Sequence, residues 1–296
     1  MFDRICIIGF GLIGSSLARG IIKHNLAGEI ICVDQSPLIC ERVLELGLAH
    51  KATTRAADGV KDADLVILCV PVGAYAAVMK EAGPHLKDGA IVTDVGSVKQ
   101  AVINAVLPHL PANVSFVPAH TIAGTEHSGP DSGFAELFEG RWSIITPLPD
   151  TDVKAMEKVV ALWEACGAKV EIMEAKRHDL VLGITSHLPH LIAYTIVGTA
   201  SDLETHMKDD VIKFSAGGFR DFTRIAASDP VMWRDVFVNN QTAVLEILQR
   251  FNEDLTNLQR AIRNGDGQTL QDLFTRTREI RRGVIQAKQE VPPEKK

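Results

Sequence analysis

The stretch Gly9-Phe10-Gly11-Leu12-Ile13-Gly14 decides the fold of this chain. An apolar run over residues 4–8 precedes the glycines, and an amphipathic stretch over residues 13–23 follows them. The pattern therefore lies between a predicted strand and a predicted helix, where G-x-G-x-x-G is the fingerprint of a dinucleotide-binding turn. Asp34 ends the next predicted strand, 20 residues after Gly14, and completes that fingerprint. The alternative is a structural strand-to-helix turn that binds no ligand.

Each residue of the fingerprint has a physical task. Gly9 allows a tight turn, Gly11 lets the backbone approach a pyrophosphate, and Gly14 lets the helix pack closely on the sheet. The pyrophosphate then lies at a helix N-terminus, where free N–H groups and the helix dipole stabilise it. Asp34 is expected to accept hydrogen bonds from ribose hydroxyls and to repel a 2′-phosphate, and residues 35–37 supply no arginine to hold one. The sequence thus predicts NAD rather than NADP as cofactor.

The end of a later apolar strand is a further candidate for cofactor contact. Val70 and Pro71 would close over the adenosine side or flank the path of the nicotinamide. Alternatively, the proline only terminates the strand. The predicted cofactor-binding residues are Gly9, Gly11, Leu12, Ile13, Gly14, Asp34, Val70 and Pro71.

The first part of the chain alternates strand-like and helix-like runs. Continuous apolar strands over residues 65–70, 91–95 and 114–118, separated by helices, predict a parallel sheet covered on both faces. Residues 143–173 are predicted to add a last strand–helix–strand extension. We therefore predict an α/β Rossmann-type N-terminal domain with a parallel sheet, over residues 1–174.

The texture changes to helical after Ala175. A helical stretch over residues 180–201 contains Pro189, which must either kink the helix or lie near a helix start. Apolar residues recur at three- and four-residue steps over residues 233–264, which predicts one long amphipathic helix, and residues 271–286 predict another. We therefore predict an all-α C-terminal domain over residues 175–296.

Composition excludes several classes of protein. The 296 residues carry a formal net charge of −6 without a basic block, so general binding to nucleic acid or to a membrane surface is not expected. The longest apolar runs are strand-sized, and no signal peptide precedes the first strand. Five cysteines without a CxxC pair favour reduced thiols and a cytoplasmic location.

Two polar residues follow predicted strands at the edge where a doubly wound sheet binds its ligand. Ser97 is placed near the nicotinamide, or else is a helix N-cap. His120 is a natural general base beside a hydride acceptor, or else a loop histidine bonded to backbone. Glu126 and His127 follow in the same loop and are either charged groups near the site or solvated.

The helical part supplies further candidates. His187 and His190 are three residues apart and share a helix face. That spacing also suits a metal, but no cysteine accompanies the pair, so no metal site is predicted. Arg220 and Arg224 lie in a glycine-bordered loop, where an arginine could pair with a carboxylate in two parallel hydrogen bonds or simply be solvated.

Together these segments resemble the prephenate dehydrogenase family, which includes cyclohexadienyl and arogenate dehydrogenases. The resemblance spans nearly the whole chain, and the motifs at residues 186–190 and 218–226 are much more specific than the glycine loop. Thr121 departs from the family pattern, which commonly has proline after the histidine. The motifs are GFGLIGSSLA (9–18), DVGSVK (94–99), HTIAGTEHSG (120–129), SHLPH (186–190) and GFRDFTRIA (218–226).

The resemblance implies a role for each matching residue. His120 would take the proton of the ring hydroxyl as hydride leaves the same carbon, and Ser97 would hydrogen-bond that histidine and hydroxyl. Arg224 would pair with a substrate carboxylate. The other implied substrate-site residues are His187, His190, Glu126 and Trp233, of which Glu126 helps gate the site and Trp233 lines the pocket or packs beneath it.

The resemblance also implies an activity and an assembly. The expected reaction is NAD-dependent oxidative decarboxylation of prephenate, with arogenate as a second possible substrate, by a homodimer formed through the helical domain. Two alternatives stay open from the sequence. One is a β-hydroxyacid dehydrogenase or imine reductase, although those resemble chains with a lysine where this sequence has residues 186–190. The other is a non-catalytic NAD-binding sensor.

Overall fold

The computed structural model describes residues 1–125, 127–202, 213–215 and 217–286. Two compact units are formed by Met1–Val244 and by Leu245–Lys296. This division does not test the predicted domain boundary at residue 174, which stays a prediction. The first unit includes both the sheet and the helical segments that carry His187, His190 and Trp233.

A six-stranded parallel sheet forms the centre of the first unit. Its order is β3-β2-β1-β4-β5-β6, and every pairing between neighbours is parallel. This is the Rossmann order, in which the strand sequence reverses between β1 and β4 and opens a crevice at the carboxyl ends of the strands. The strands are β1 Phe2–Ile8, β2 Ala27–Val33, β3 Lys51–Thr53, β4 Leu65–Leu68, β5 Ile91–Asp94 and β6 Ser115–Val117.

Helices cover both faces of this sheet. They are α1 Leu12–Lys23, α2 Pro37–Glu45, α3 Ala56–Gly59, α4 Tyr75–Ala82 and α5 Lys99–Val106. Side chains alternate between two apolar clusters along a strand, with Ile5 and Ile7 in one cluster and Cys6 and Ile8 in the other. The prediction of a parallel sheet buried on both faces is therefore confirmed.

The extension after β6 forms a separate sheet rather than continuing the first. Its order is β7-β8-β9, and β7 pairs antiparallel with β8. β7 is not evident in the sequence because it is only three residues long and follows β6 directly. The elements are β7 Ala119–Thr121, β8 Trp142–Ile145, α6 Val153–Ala165 and β9 Lys169–Ile172.

A helical run then spans Ala175–Ser201. It consists of α7 Ala175–Leu182, a π-helical turn Gly183–His187, and α8 Leu188–Ser201. Pro189 lies in the first turn of α8, where its missing N–H costs little, so the second of the two sequence expectations for this proline applies.

By length and composition this run could cross a membrane. It has 27 residues and a mean hydropathy of 1.5 over its most apolar window, of which 22% is buried. The expectation that no apolar run approaches a membrane span is therefore wrong for this segment. Helices that pack within proteins meet the same criterion, and this run places His178, Asp179 and His187 in the protein interior.

The predicted long helix over residues 233–264 is interrupted at Asn240. The structure has α10 Pro230–Asn239 and α11 Gln241–Arg263, preceded by α9 Gly217–Thr223 and followed by α12 Gly267–Gln286. Asn240 has φ −105° and ψ 32°, outside helical geometry, and its side chain is buried. The apolar period continues through the break, so periodicity alone could not reveal it.

Candidate active site

The glycine turn has the geometry that a bound pyrophosphate requires. Gly9 has φ +95°, and a Cβ there would lie 2.5 Å from the carbonyl oxygen of Cys69. A Cβ at Gly14 would lie 2.0 Å from the carbonyl oxygen of Gly9. A Cβ at Gly11 would have no neighbour within 4 Å, so this glycine faces open space at the start of α1, whose N-cap has no side-chain hydrogen bond. The residues present fit a dinucleotide cofactor.

Asp34 lies directly after β2 and braces the glycine turn. Its Oδ2 accepts the backbone N–H of Phe10 at 3.0 Å, and its Oδ1 accepts the N–H of Ser36 at 3.0 Å. The carboxylate therefore has a fixed orientation at the mouth of the crevice. Sequence reasoning identified its ribose-binding position but not this structural role.

Val70 and Pro71 follow β4 at the same edge of the sheet, and Pro71 is exposed. The turn after them carries Gly73, whose N–H donates to Asp235 Oδ2 on α10 at 3.3 Å. A Cβ at Gly73 would lie 2.6 Å from that oxygen. This close approach holds α10, and with it Trp233, against the end of β4.

A buried ion pair supports the end of β5. Lys99 and Asp94 are both fully buried, and the Lys99 ammonium donates to Asp94 Oδ2 and to the carbonyl oxygen of Ala119. Asp94 Oδ1 accepts the N–H of Ala119 at 3.0 Å, and its Oδ2 accepts the N–H of Gly96 at 2.8 Å. The pair thus fixes the residue immediately before His120 to the loop that carries Ser97. Nothing in the sequence pattern indicates this pair.

Ser97 is half-buried and does not cap α5. The N-cap residue is Val98, without a side-chain cap bond. Asp179 on α7 takes that task, since its carboxylate accepts the N–H of Lys99 at 2.7 Å and of Gln100 at 2.9 Å. The N-cap interpretation of Ser97 is therefore wrong.

His120 lies on β7 and is 9% exposed. Its Nδ1 is 2.8 Å from Nε2 of His178, and Nδ1 of His178 is 2.8 Å from Oδ1 of Asp179. No hydrogen bond from Ser97 to His120 occurs among the described residues, so the implied contact between them stays a prediction. Sequence reasoning missed His178 and Asp179; the only signal was a His-Asp dipeptide in a helical run.

The pKa values of the site histidines are all lowered. Burial is the largest cause for His120, whose pKa lies well below its usual value, and the positive charges of His178, Lys99 and His187 add to it. Burial also lowers the pKa of His178, against the opposing effect of Asp179. A base with these surroundings is neutral at neutral pH and can accept a proton.

His187, on the π-helical turn after α7, is held in place by Asn240. The Asn240 amide donates to Nδ1 of His187 at 3.0 Å and to the carbonyl oxygen of Asp179 at 2.9 Å. Nε2 of His187 is buried and has no hydrogen-bond partner among the described residues. Burial lowers the pKa of His187 to about 4. The break between α10 and α11 thus delivers the side chain that orients this histidine.

His190 and Trp233 form a stacked pair with ring centroids 3.6 Å apart. Nδ1 of His190 donates to the carbonyl oxygen of Ser186 at 2.8 Å, and the Trp233 indole N–H is buried without a partner among the described residues. Burial lowers the pKa of His190, and the positive charge of Arg224 lowers it further. Arg224 is therefore close enough to this stacked pair to act on it electrostatically.

The flanking glycines predicted a loop for Arg220 and Arg224, but the structure has helical turns there. Arg220 lies on α9 and pairs with Asp221 in solvent, at 3.4 Å, whereas Arg224 begins a 3-10 turn over Arg224–Ala227. Glu126 falls outside the described residues, and its neighbour His127 is exposed.

A Rossmann sheet with a dinucleotide turn and a neutral histidine at the same crevice defines a class, the nicotinamide-dependent dehydrogenases. The family model described as "Prephenate dehydrogenase, nucleotide-binding domain" matches residues 17–172, and "Prephenate dehydrogenase, dimerization domain" matches residues 174–276. The chain belongs to the prephenate dehydrogenase family.

Individual relatives agree with this assignment. A cyclohexadienyl dehydrogenase of Zymomonas mobilis is 41% identical, over 95% of this chain and 96% of the relative. A prephenate dehydrogenase from A. aeolicus, solved with hydroxyphenyl propionate and NAD+, is 34% identical with a TM-score of 0.89, covering 96% of this chain and 99% of that one. A Synechocystis arogenate dehydrogenase is 26% identical with a TM-score of 0.79, covering 95% and 99%. The expectations of family, fold class and NAD as cofactor are confirmed.

Proposed function

We propose that this chain catalyses the NAD-dependent oxidative decarboxylation of prephenate to 4-hydroxyphenylpyruvate, in tyrosine biosynthesis. The observation that carries the proposal is the position of His120, a neutral buried histidine that follows β6 at the sheet edge where the parallel strands end and the dinucleotide turn lies, in a chain of this family. Bound NAD supplies the hydride acceptor for this chemistry.

His120 is proposed as the base that takes the proton of the ring hydroxyl while hydride leaves the same carbon. Loss of carbon dioxide from that ring then restores aromaticity, which makes the reaction effectively irreversible. The neutral imidazole favours this role because a protonated ring could not accept the proton. Ser97, on the turn between β5 and α5, is proposed to orient the same hydroxyl.

The glycine turn and Asp34 are proposed to hold the cofactor. N–H groups at the start of α1 would bind the pyrophosphate, and the open space at Gly11 would admit it. Asp34 is proposed to bind the adenosine ribose, and Leu12, Ile13, Val70 and Pro71 to complete the contacts. The buried Lys99–Asp94 pair ties the loop that carries Ser97 to the strand that carries His120.

Arg224 is proposed to bind a substrate carboxylate, with His187, His190 and Trp233 around it. Two buried N–H groups without a partner in the described part of the chain favour an acceptor at this place. One is Trp233 Nε1, and the other is Nε2 of His187, which carries the proton because Nδ1 accepts from Asn240. A carboxylate or carbonyl oxygen would satisfy such donors. Glu126 is proposed to gate the site.

The proposal is tested by mixing purified protein with prephenate and NAD and following NADH absorbance. Absence of turnover with both prephenate and arogenate would refute it. Comparing kcat/KM for the two substrates then decides whether arogenate is also used. Prephenate carries a keto acid side chain and arogenate an amino acid side chain. An arginine that binds a carboxylate suits both substrates.

A homodimer and a cytoplasmic location complete the proposal. The matched dimerisation model over residues 174–276 favours the dimer, as do exposed apolar side chains such as Ile184, Ile196 and Val197 on the helical run. All five cysteines are free, which suits a reducing compartment. Sedimentation equilibrium tests the assembly, and the mass of a single chain at micromolar concentration would contradict it.

A further inference from the structure

A continuous hydrogen-bond chain runs from Asp179 through His178 to His120. An ionised carboxylate only accepts hydrogen bonds, so Nδ1 of His178 carries the proton that it donates to Asp179 Oδ1 at 2.8 Å. Neutral His178 then has an unprotonated Nε2. The contact of 2.8 Å between that atom and Nδ1 of His120 requires the His120 proton to lie on Nδ1. The remaining ring nitrogen of His120, Nε2, is left with its lone pair.

We infer that His178 and Asp179 are positioning residues that fix the tautomer of His120, so that Nε2 is the atom that accepts the substrate proton. The inference rests on the proposed function of His120. When Nε2 accepts the proton, the ring becomes a cation, and the hydrogen bond from Nδ1 to His178 strengthens. Asp179 in turn stabilises His178 as the acceptor, as the buried carboxylate does in a serine-protease triad.

The charged and titratable groups around this chain keep both rings neutral before the reaction. His120 faces His178 on α7, Lys99 on α5 and His187 on the π-helical turn, and His178 faces Lys99, Asp94 and Asp179. The Lys99 ammonium opposes protonation of either ring, whereas Asp94 and Asp179 favour protonation of His178. Burial opposes it most strongly in both cases.

Asp179 also connects the base to the helix that follows Ser97. The same carboxylate accepts the backbone N–H groups of Lys99 and Gln100 at the start of α5. With three donors on its two oxygens, it cannot rotate without losing the helix cap. One buried side chain therefore sets the start of α5 and the ring orientation of His178 together.

The tautomer itself can be measured without turnover. ¹⁵N chemical shifts of histidine-labelled protein distinguish protonated from unprotonated ring nitrogens, and the His120 signals are identified by their loss in His120→Asn. The inference expects His120 to be protonated at Nδ1 and unprotonated at Nε2 at neutral pH. Protonation at Nε2 instead would overturn it, whatever the enzyme's activity.

Variants of His178 test the catalytic consequence. His178→Leu removes the acceptor and should lower kcat by about 10- to 150-fold, the effect of losing a hydrogen bond to a charged group, with little change in KM for prephenate or NAD. His178→Gln supplies an amide oxygen and should restore part of that loss. His50→Leu is the matched control: its Nδ1 also accepts an N–H, from Ile30, but away from the site, and its kcat should not change.

The outcomes separate this inference from the proposed function. Turnover of prephenate by the unmodified protein establishes the function on its own. A His178→Leu variant that folds and keeps kcat within about twofold would overturn the positioning role. If that variant does not fold, the ¹⁵N spectrum of the unmodified protein decides: protonation of His120 at Nδ1 supports the inference, and protonation at Nε2 overturns it.

Discussion

The carboxylate of Asp179 accepts the backbone N–H of Lys99 at 2.7 Å, although 80 residues separate the two in sequence. A helix start needs acceptors for its first N–H groups, and they usually come from the residue just before the helix. Here the acceptor comes from α7, in the part of the chain matched by the dimerisation model. Ser97 is therefore not needed as a cap, which leaves its hydroxyl free for the substrate contact proposed above.

Cofactor choice should depend on Asp34. A 2′-phosphate would meet a carboxylate that two backbone N–H groups hold in place, so we expect a strong preference for NAD in kcat/KM. Asp34→Ser or Asp34→Arg should narrow or reverse that preference. Because Asp34 also braces Phe10, both variants should also weaken NAD binding. Equal kcat/KM for NAD and NADP in the unmodified protein would contradict the prediction.

Alanine substitutions at two glycines of the turn should have different effects, one on NAD binding and the other on the stability of the fold. Gly11→Ala places a methyl group where no protein atom lies within 4 Å, so Tm should hold while the Kd for NAD rises by at least about tenfold. Gly14→Ala places a Cβ against a backbone oxygen at 2.0 Å, so the free energy of unfolding should fall by about 1–3 kcal/mol. Thermal denaturation and NAD titration of both variants check this, and a destabilised Gly11→Ala would contradict it.

The role of His120 as base predicts a change in kcat rather than in binding. His120→Asn keeps a polar side chain of similar reach but cannot take the proton, so kcat should fall by about 10²–10⁴-fold with little change in prephenate KM. The pH profile of kcat should also lose its acidic limb. Steady-state kinetics over a range of pH measure both effects, and near-full kcat would mean that the histidine is structural.

Arg224 and Arg220 form a matched pair for the carboxylate clamp. Arg224→Ala should raise prephenate KM by at least about tenfold, because a hydrogen bond to a charged group contributes roughly 1.5–3 kcal/mol, and Arg224→Lys should only partly restore it. NAD KM should change little. Arg220→Ala is the control, since Arg220 pairs with Asp221 in solvent. If Arg220→Ala raises prephenate KM and Arg224→Ala leaves it unchanged, the clamp has been assigned to the wrong arginine.

The buried His187 predicts that the protein becomes less stable in mild acid. An unfolded histidine binds a proton near its ordinary pKa of 6.5, whereas the pKa of folded His187 is about 4. Between these values the unfolded state holds more protons, so the free energy of unfolding falls as pH falls. At about pH 5 the loss from this residue is about 2 kcal/mol.

Urea unfolding at about pH 7 and about pH 5 measures that loss. His187→Gln can still accept from Asn240 and should show a smaller difference between the two pH values. His127→Gln, at an exposed position, should keep the full difference. Equal differences for all three proteins would assign the acid sensitivity to other groups.

The sequence by itself determined the Rossmann half of this protein and the chemistry of its turn. Apolar strands of four to seven residues can be buried on both faces only in a covered parallel sheet, and a G-x-G-x-x-G turn followed by Asp34 suits only a few backbone geometries. Motif order likewise brought His120, the SHLPH segment and Arg224 into one family pattern. These features are local, so spacing along the chain carries them.

Only the tertiary structure decided which residues hold the side chains of the site in position. The pairing of Asp179 with α5, of His178 with His120, and of Asn240 with His187 joins residues 53–80 positions apart. No periodicity links such residues, because each contact depends on how α7, the π-helical turn and α10 pack on the sheet. The buried Lys99 shows the same limit: beside Asp94 it is a paired cation in the interior, whereas in sequence it looks like an ordinary surface lysine at a helix start.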